Sequence, residues 1–164
     1  MTRRPRIAGR LGRRGFTLIE ISVVLVISAV ILTIGGLTFS GYFQRNSARR
    51  AAQVFALDLT AARSFAVRSQ ESVVIRFYEV SLWYEVVGQS TVTEISRRRF
   101  GVNADIDLSA VALDMPGDSV VFNSRGIADM SGAPGSLGKA TFSSGATTYT
   151  VSFNGMGASK IDQT

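Results

Sequence analysis

The sequence predicts an α+β protein, in which one long N-terminal helix, apolar in its first half and amphipathic in its second, packs on a C-terminal antiparallel β-rich head. Three observations carry that prediction. Between Phe16 and Phe43 the only charged residue is Glu20. No proline interrupts residues 16 to 70. From Ser72 onward the chain turns to short runs rich in β-branched and aromatic residues, punctuated by glycine.

Residues 1–15 precede the helix as a basic leader. Arg3, Arg4, Arg6, Arg10, Arg13 and Arg14 lie there with no acid, and the other 12 basic residues are matched by all 12 acidic ones. The net charge of +6 and the isoelectric point near 10.5 therefore describe the leader, not the body. That removes the first argument for a nucleic-acid binder. The chain has no cysteine and no histidine, which excludes disulfides, thiol nucleophiles, Cys/His zinc sites and imidazole acid–base chemistry.

The stretch Ile21–Phe39 is long and apolar enough to cross a bilayer core, which takes about 20 helical residues. Six arginines ahead of it place the N-terminus in the cytoplasm and the residues after Tyr42 outside. The apolar run exceeds the usual core of a cleaved secretory signal, and no small-residue cleavage site follows it. The punctuation comes earlier, at Arg14-Gly15-Phe16, where a cut would leave the apolar helix on the mature chain. Glu20 is then conspicuous. A carboxylate costs about 2.5–3.5 kcal/mol at the centre of a membrane helix and less near an end. The apolar segment offers it no partner, although a helix N-terminus favours negative charge.

Beyond the apolar run Phe55, Leu59, Ala62 and Ala66 recur at helical spacing, with Arg49, Gln53, Thr60, Arg63 and Ser64 on much of the other side. This continues the same helix to about residue 70, with Gly35-Gly36 and Gly41 as its weak points. In the head, Ser72–Tyr78, Leu82–Val87 and Thr91–Phe100 are expected to form a three-stranded meander. Ser119–Gly126, Lys139–Ser144, Thr148–Asn154 and Ser159–Ile161 are expected as later strands, and Ser131–Gly138 as a flexible loop.

The run "RRGFTLIE" followed by an unbroken apolar helix resembles the class III signal of type IV prepilins and type II secretion pseudopilins. The resemblance implies that prepilin peptidase cuts after Gly15, that Phe16 becomes the N-methylated terminus, and that Glu20 makes an intermolecular salt bridge to a neighbouring terminal amine during filament assembly. "ARRAAQVFALDLTAARSFAVRSQ" (Ala48–Gln70) and the later order "VFNSRG", "ATF", "YTVSFNGMG" resemble the H-type minor pseudopilin (GspH/FimT) family. There a Phe-x-x-x-Gly turn and a late strand ending in glycine close a β-sandwich-like head; the matching residues are Phe122, Gly126 and Gly155 or Gly157. The implied fold is pilin-like: 1–15 the cleaved leader, 16–43 the transmembrane half of the helix, 44–70 its amphipathic half, and 71–164 a periplasmic β-rich head. The implied function is that of a structural minor pseudopilin of the type II secretion pseudopilus, anchored once in the bacterial inner membrane. Its partners would be prepilin peptidase, other major and minor pseudopilins or pilins, and membrane lipid. A FimT/FimU-like minor pilin, for pilus assembly or DNA uptake, is the alternative.

No catalytic constellation emerges, and neither a cofactor nor a metal site is expected. Asp105, Asp107, Asp114 and Asp118 fall in a loop-rich stretch whose spacing matches no EF-hand loop, and ordinary solvated turns account for them better than calcium ligation. Arg97, Arg98 and Arg99 form the one dense basic cluster beyond the leader, a candidate DNA or partner contact. Strand alternation sends Arg97 and Arg99 to one face and Arg98 to the other. So few charges on a neutral body favour a solvated strand edge over a DNA surface.

Overall fold

The computed structural model describes residues 16–90, 93–101, 104–133 and 136–164; within its helix, the side chains of residues 35–41 lie outside the description. Helix α1 (Leu18–Ser69) is one assigned element of 52 residues, as the proline-free stretch allows. The chain nevertheless divides into two units, at Phe39/Ser40.

In the first unit the apolar side chains of α1 point into open space; Leu18, Ile19 and Leu32 are 86, 72 and 75% exposed. The hydroxyls of Ser22 and Thr33 donate to the carbonyls of Leu18 and Ala29 (2.9 and 2.8 Å), so these polar groups are satisfied within the helix. Among the described residues, no helix is long and apolar enough to cross a membrane. The stretch with described side chains, residues 18–34, amounts to about 25 Å of helix against a hydrocarbon core of about 30 Å.

Among its described residues the second unit holds the rest of α1 and eight strands. These are β1 (Val73–Tyr78), β2 (Trp83–Gly88), β3 (Glu94–Arg99), β4 (Ala110–Asp114), β5 (Ser119–Phe122), β6 (Gly138–Ser144), β7 (Thr147–Phe153) and β8 (Ser159–Gln163). They form two four-stranded sheets, ordered β3-β2-β1-β5 and β4-β6-β7-β8, with every pair antiparallel. The expected meander is the β1-β2-β3 part of the first sheet. Strand β4 is the one the sequence reading missed. Its residues alternate between exposed and buried, with Val111 and Leu113 turned inward, but two of its outward positions are alanine, a residue with weak strand preference. Asp114, expected in a loop, is the last residue of that strand, in register with Lys139. The β3 expectation began at Thr91; residues 91 and 92 lie outside the described residues. So do 134 and 135 of the expected flexible loop, whose Ala133 packs against the core.

The inner face of α1 is built from small residues around one large one. Ala48, Ala51, Ala52, Leu59, Ala62 and Ala66 are fully buried, and Phe55 sits among them. Alanines let the sheets approach the helix closely, and Phe55 fills the space where the two sheets meet. Its ring lies 5.3 and 5.6 Å from Phe77 and Tyr84 of the first sheet, and 5.5 and 5.9 Å from Phe142 and Phe153 of the second. Aromatic pairs at these separations add about 0.5–1.5 kcal/mol each beyond their burial. One helical side chain thereby ties both sheets to α1.

Candidate functional site

At the start of α1 the sequence signature becomes a capped helix end. Thr17 occupies the cap position, and its hydroxyl accepts the backbone N–H of Glu20 at 3.2 Å. Thr17-Leu18-Ile19-Glu20 has the spacing of a capping box, with the carboxylate three residues into the positive end of the helix dipole. Glu20 has an exposed side chain, and no cation among the described residues pairs with it. Phe16 is 79% exposed. Gly15, the expected cleavage position, lies outside the described residues.

A second acidic residue on the same helix was not anticipated. Asp58 lies one turn after Phe55 on the buried face. It accepts a hydrogen bond from the Tyr84 hydroxyl (2.8 Å) and a fork from Arg98, Nε to Oδ2 at 3.0 Å and the terminal nitrogen to Oδ1 at 3.2 Å. The Ser96 hydroxyl completes the group at 3.5 Å. Helix, β2 and β3 are thus joined by one polar knot beside the apolar core. Burial, then the Asp58 charge, pushes the Tyr84 hydroxyl far above its ordinary pKa. The hydrogen bond to Asp58 raises that of Arg98. The available signal was an acid at the i+3 position of a buried stripe, which cannot stay there without a partner.

The three consecutive arginines of β3 have three different environments. Arg98 points inward to Asp58. Arg97 points outward, pairing with Glu94 at 2.7 Å and Glu85 at 3.4 Å, with its guanidinium 5.0 Å from the Trp83 ring centroid. Trp83 stacks on Tyr78 at 3.9 Å, and the Tyr78 hydroxyl donates to Glu85. Arg99 is exposed, and no carboxylate among the described residues pairs with it. The expected alternation therefore holds in geometry, but two of the three charges are matched by acids.

Past β5 and β7 the chain repeats one device. Phe122-Asn123-Ser124-Arg125-Gly126 and Phe153-Asn154-Gly155-Met156-Gly157 each follow a strand ending in a buried phenylalanine. In each, the asparagine side chain accepts two backbone N–H groups, from Arg125 and Ile127 in the first and from Met156 and Ala158 in the second. Gly126 and Gly157 both have φ +74°. A Cβ on Gly126 would come within 2.7 Å of Val67 on α1, so both its conformation and its closeness to the helix require glycine. The turns are bridged by the Ala128 N–H donating to the Gly155 carbonyl at 2.7 Å.

The sequence model described as Type II transport protein GspH matches residues 51–157, more than half of the chain. The chain belongs to that family. The Prokaryotic N-terminal methylation motif matches residues 10–36, covering Gly15, Phe16 and Glu20. No curated protein matches by sequence. Among solved structures, the type IV minor pilin FimU of Pseudomonas aeruginosa is similar at 12% identity and a TM-score of 0.54, over 74% of this chain and 92% of that one. The minor pseudopilin EpsH of the Vibrio cholerae Type 2 Secretion System is similar at 12% identity and a TM-score of 0.49, over 71% of this chain and 97% of that one. The FimU likeness shows that the GspH-family chain has the α+β pilin-like fold. In that fold Phe122, Gly126 and Gly157 close the head where the resemblance placed them, with Gly157 the better match because it, not Gly155, has the left-handed backbone. Among the described residues no cluster of acids could hold a metal ion.

Proposed function

We propose that this GspH-family chain is a non-enzymatic minor pseudopilin of the type II secretion pseudopilus. Prepilin peptidase cuts between Gly15 and Phe16 and methylates Phe16; the apolar half of α1 anchors the chain in the inner membrane; the head lies in the periplasm. The observation that carries this is the pairing of an N-terminal methylation motif at 10–36 with a GspH match over 51–157 in one chain. The exposed apolar side chains of Leu18–Ile34 have no place in water. Lipid covers them first, and the helices of neighbouring subunits cover them in the filament. Glu20, which no cation among the described residues pairs, takes the terminal amine of a neighbouring Phe16 as its cation. The carboxylate thus favours entry of a subunit at one axial stagger and no other.

Replacing Gly15 with leucine blocks processing, which mass spectrometry reads as retention of the fifteen-residue leader. A mature terminus at Phe16 in that variant refutes the cleavage site. Replacing Glu20 with alanine leaves insertion intact and lowers incorporation into filaments. Removing the chain from its host stops protein export across the outer membrane and leaves surface pili intact. Lost pili with normal export would instead assign it to a FimU-like minor pilin. The DNA-uptake variant of that reading draws on Arg97, Arg98 and Arg99, of which Arg97 and Arg98 are held by carboxylates and Arg99 has no carboxylate partner among the described residues.

A further inference from the structure

The head carries a cleft outside the features used so far. It has a volume of about 450 Å³ and runs beside the end of β3, lined by Arg50 and Val54 of α1, by Arg97–Arg99, and by Phe100, Ala104, Asp105 and Ile106. We propose that this cleft binds the phosphate headgroup of an anionic phospholipid and holds the head against the membrane surface. The proposal rests on the membrane-anchored reading above.

Two charges in the cleft are uncommitted. Arg98 is taken by Asp58, and Arg97 by Glu94 and Glu85. Arg50 and Arg99 are exposed, and no carboxylate among the described residues lies within ion-pair distance of either. Asp105 on the rim is the single acid lining the cleft. The surplus is therefore one positive charge, presented by two guanidinium forks that suit phosphate oxygens. The walls are not polar throughout: Phe100 and Ile106 are buried apolar residues and Val54 is half-buried. Such a mixture suits a headgroup attached to a glycerol and the start of an acyl chain.

The cleft also lies beside the stretch of α1 that follows an exposed aromatic pair. Tyr42 and Phe43 are 67 and 60% exposed and meet edge to face at 6.2 Å, an aromatic pair of the kind found at membrane interfaces. Arg50 follows Phe43 by seven residues, which returns it to the same helix face about 10 Å further along. An arginine near an anionic membrane surface contributes about 1 kcal/mol. A nucleic-acid duplex fits less well. Its affinity comes from many phosphate contacts along a basic stripe, and the cleft offers two free arginines on an otherwise neutral body.

The test uses the full chain in liposomes. Flotation with phosphatidylcholine alone measures anchoring, and it is expected for the parent and every variant. Vesicles mixing phosphatidylcholine with phosphatidylglycerol are then solubilised gently, and the lipid retained on the purified protein is counted by native mass spectrometry. The parent retains phosphatidylglycerol in preference. Arg50→Ala with Arg99→Ala lowers that preference roughly tenfold to thirtyfold at low salt, while Arg125→Ala, in a distant turn, leaves it unchanged. Arg50→Ala with Arg99→Glu lowers it further, and an unchanged unfolding temperature shows that each variant folds. Equal retention by parent and double variant overturns the proposal. Retained lipid preference with loss of binding to a labelled DNA duplex also overturns it and assigns the cleft to nucleic acid. Failure of the parent to float in phosphatidylcholine defeats the anchored reading itself, and this proposal with it.

Discussion

Glu20 and Asp58 lie on one helix and meet opposite fates. Asp58 is buried, and the chain supplies its partners from two strands: a tyrosine hydroxyl, an arginine fork and a serine. Glu20 is exposed among exposed apolar residues; among the described residues it finds a capping position and no cation. The same contrast runs through the apolar residues. Phe55 and Leu59 are fully buried by the sheets, whereas Leu18 and Leu32 are largely bare. The inner face of the second half of α1 is thus satisfied within one molecule, and the first half is written for surroundings that other molecules must provide. Each half can be tested by breaking the interactions it contains.

The largest effect is expected at Phe55. Its ring reaches from the helix to two rings of each sheet, so Phe55→Ala leaves a cavity at the junction of helix and sheets. A loss of about 4 kcal/mol is expected, read from denaturant unfolding of the head by the near-ultraviolet signal of Trp83 in detergent. A loss below 1 kcal/mol would mean that the sheets hold together without the helix, and the intramolecular completeness of this inner face would fail.

Asp58→Ala comes next, with a loss of about 2 kcal/mol. The Tyr84 hydroxyl would be left buried without its acceptor, which costs about 1–3 kcal/mol; Arg98 is half exposed and turns to water, so the full penalty of an orphaned buried charge does not arise. Tyr84→Phe in the same background should recover part of the loss, because no hydroxyl then needs the missing carboxylate. Additive effects of the two substitutions would show that the hydrogen bond contributes nothing.

How much of this was legible in the sequence depends on the length scale of each signal. The helix announced itself through 50 residues without proline, and its buried stripe through the spacing of Phe55, Leu59, Ala62 and Ala66. Strands β6 and β7 alternated cleanly because their inner positions are large, such as Phe142, Val151 and Phe153. Strand β4 did not, since alanine at Ala110 and Ala112 gives little contrast. The Asp58 knot was out of reach because Tyr84 and Arg98 lie 26 and 40 residues away in the chain, and only the β2–β3 register brings them together. The paired Phe-Asn-x-x-Gly turns were visible as text, yet their purpose depends on α1 passing beside Gly126.

A smaller effect is expected with alkali. Burial raises the Tyr84 hydroxyl above its unfolded value near 10. The folded state therefore holds this proton after the unfolded chain has released it. The contribution is complete below pH 10 and is lost as pH climbs above it, by up to about 1.4 kcal/mol for each pH unit. The difference in stability between the parent and Tyr84→Phe should shrink with that slope above pH 10. A difference independent of pH would place Tyr84 in contact with water and weaken the account of Asp58.

The smallest effect on the head is expected at Glu20, and that near-absence sharpens the comparison. Glu20→Ala removes a carboxylate that no cation among the described residues holds, so the unfolding midpoint of the head should match the parent's. The helix end loses only the favourable placement of a negative charge at its positive terminus, worth about 0.3–1 kcal/mol and local to the first turn. Quantitative blotting of sheared filaments should at the same time show Glu20→Ala depleted, whereas Asp58→Ala, at temperatures where its head stays folded, should be incorporated as the parent is. If Glu20→Ala lowered head stability as Asp58→Ala does, the two carboxylates would share one role. The division of α1 into a half satisfied by its own chain and a half satisfied by others would then be lost.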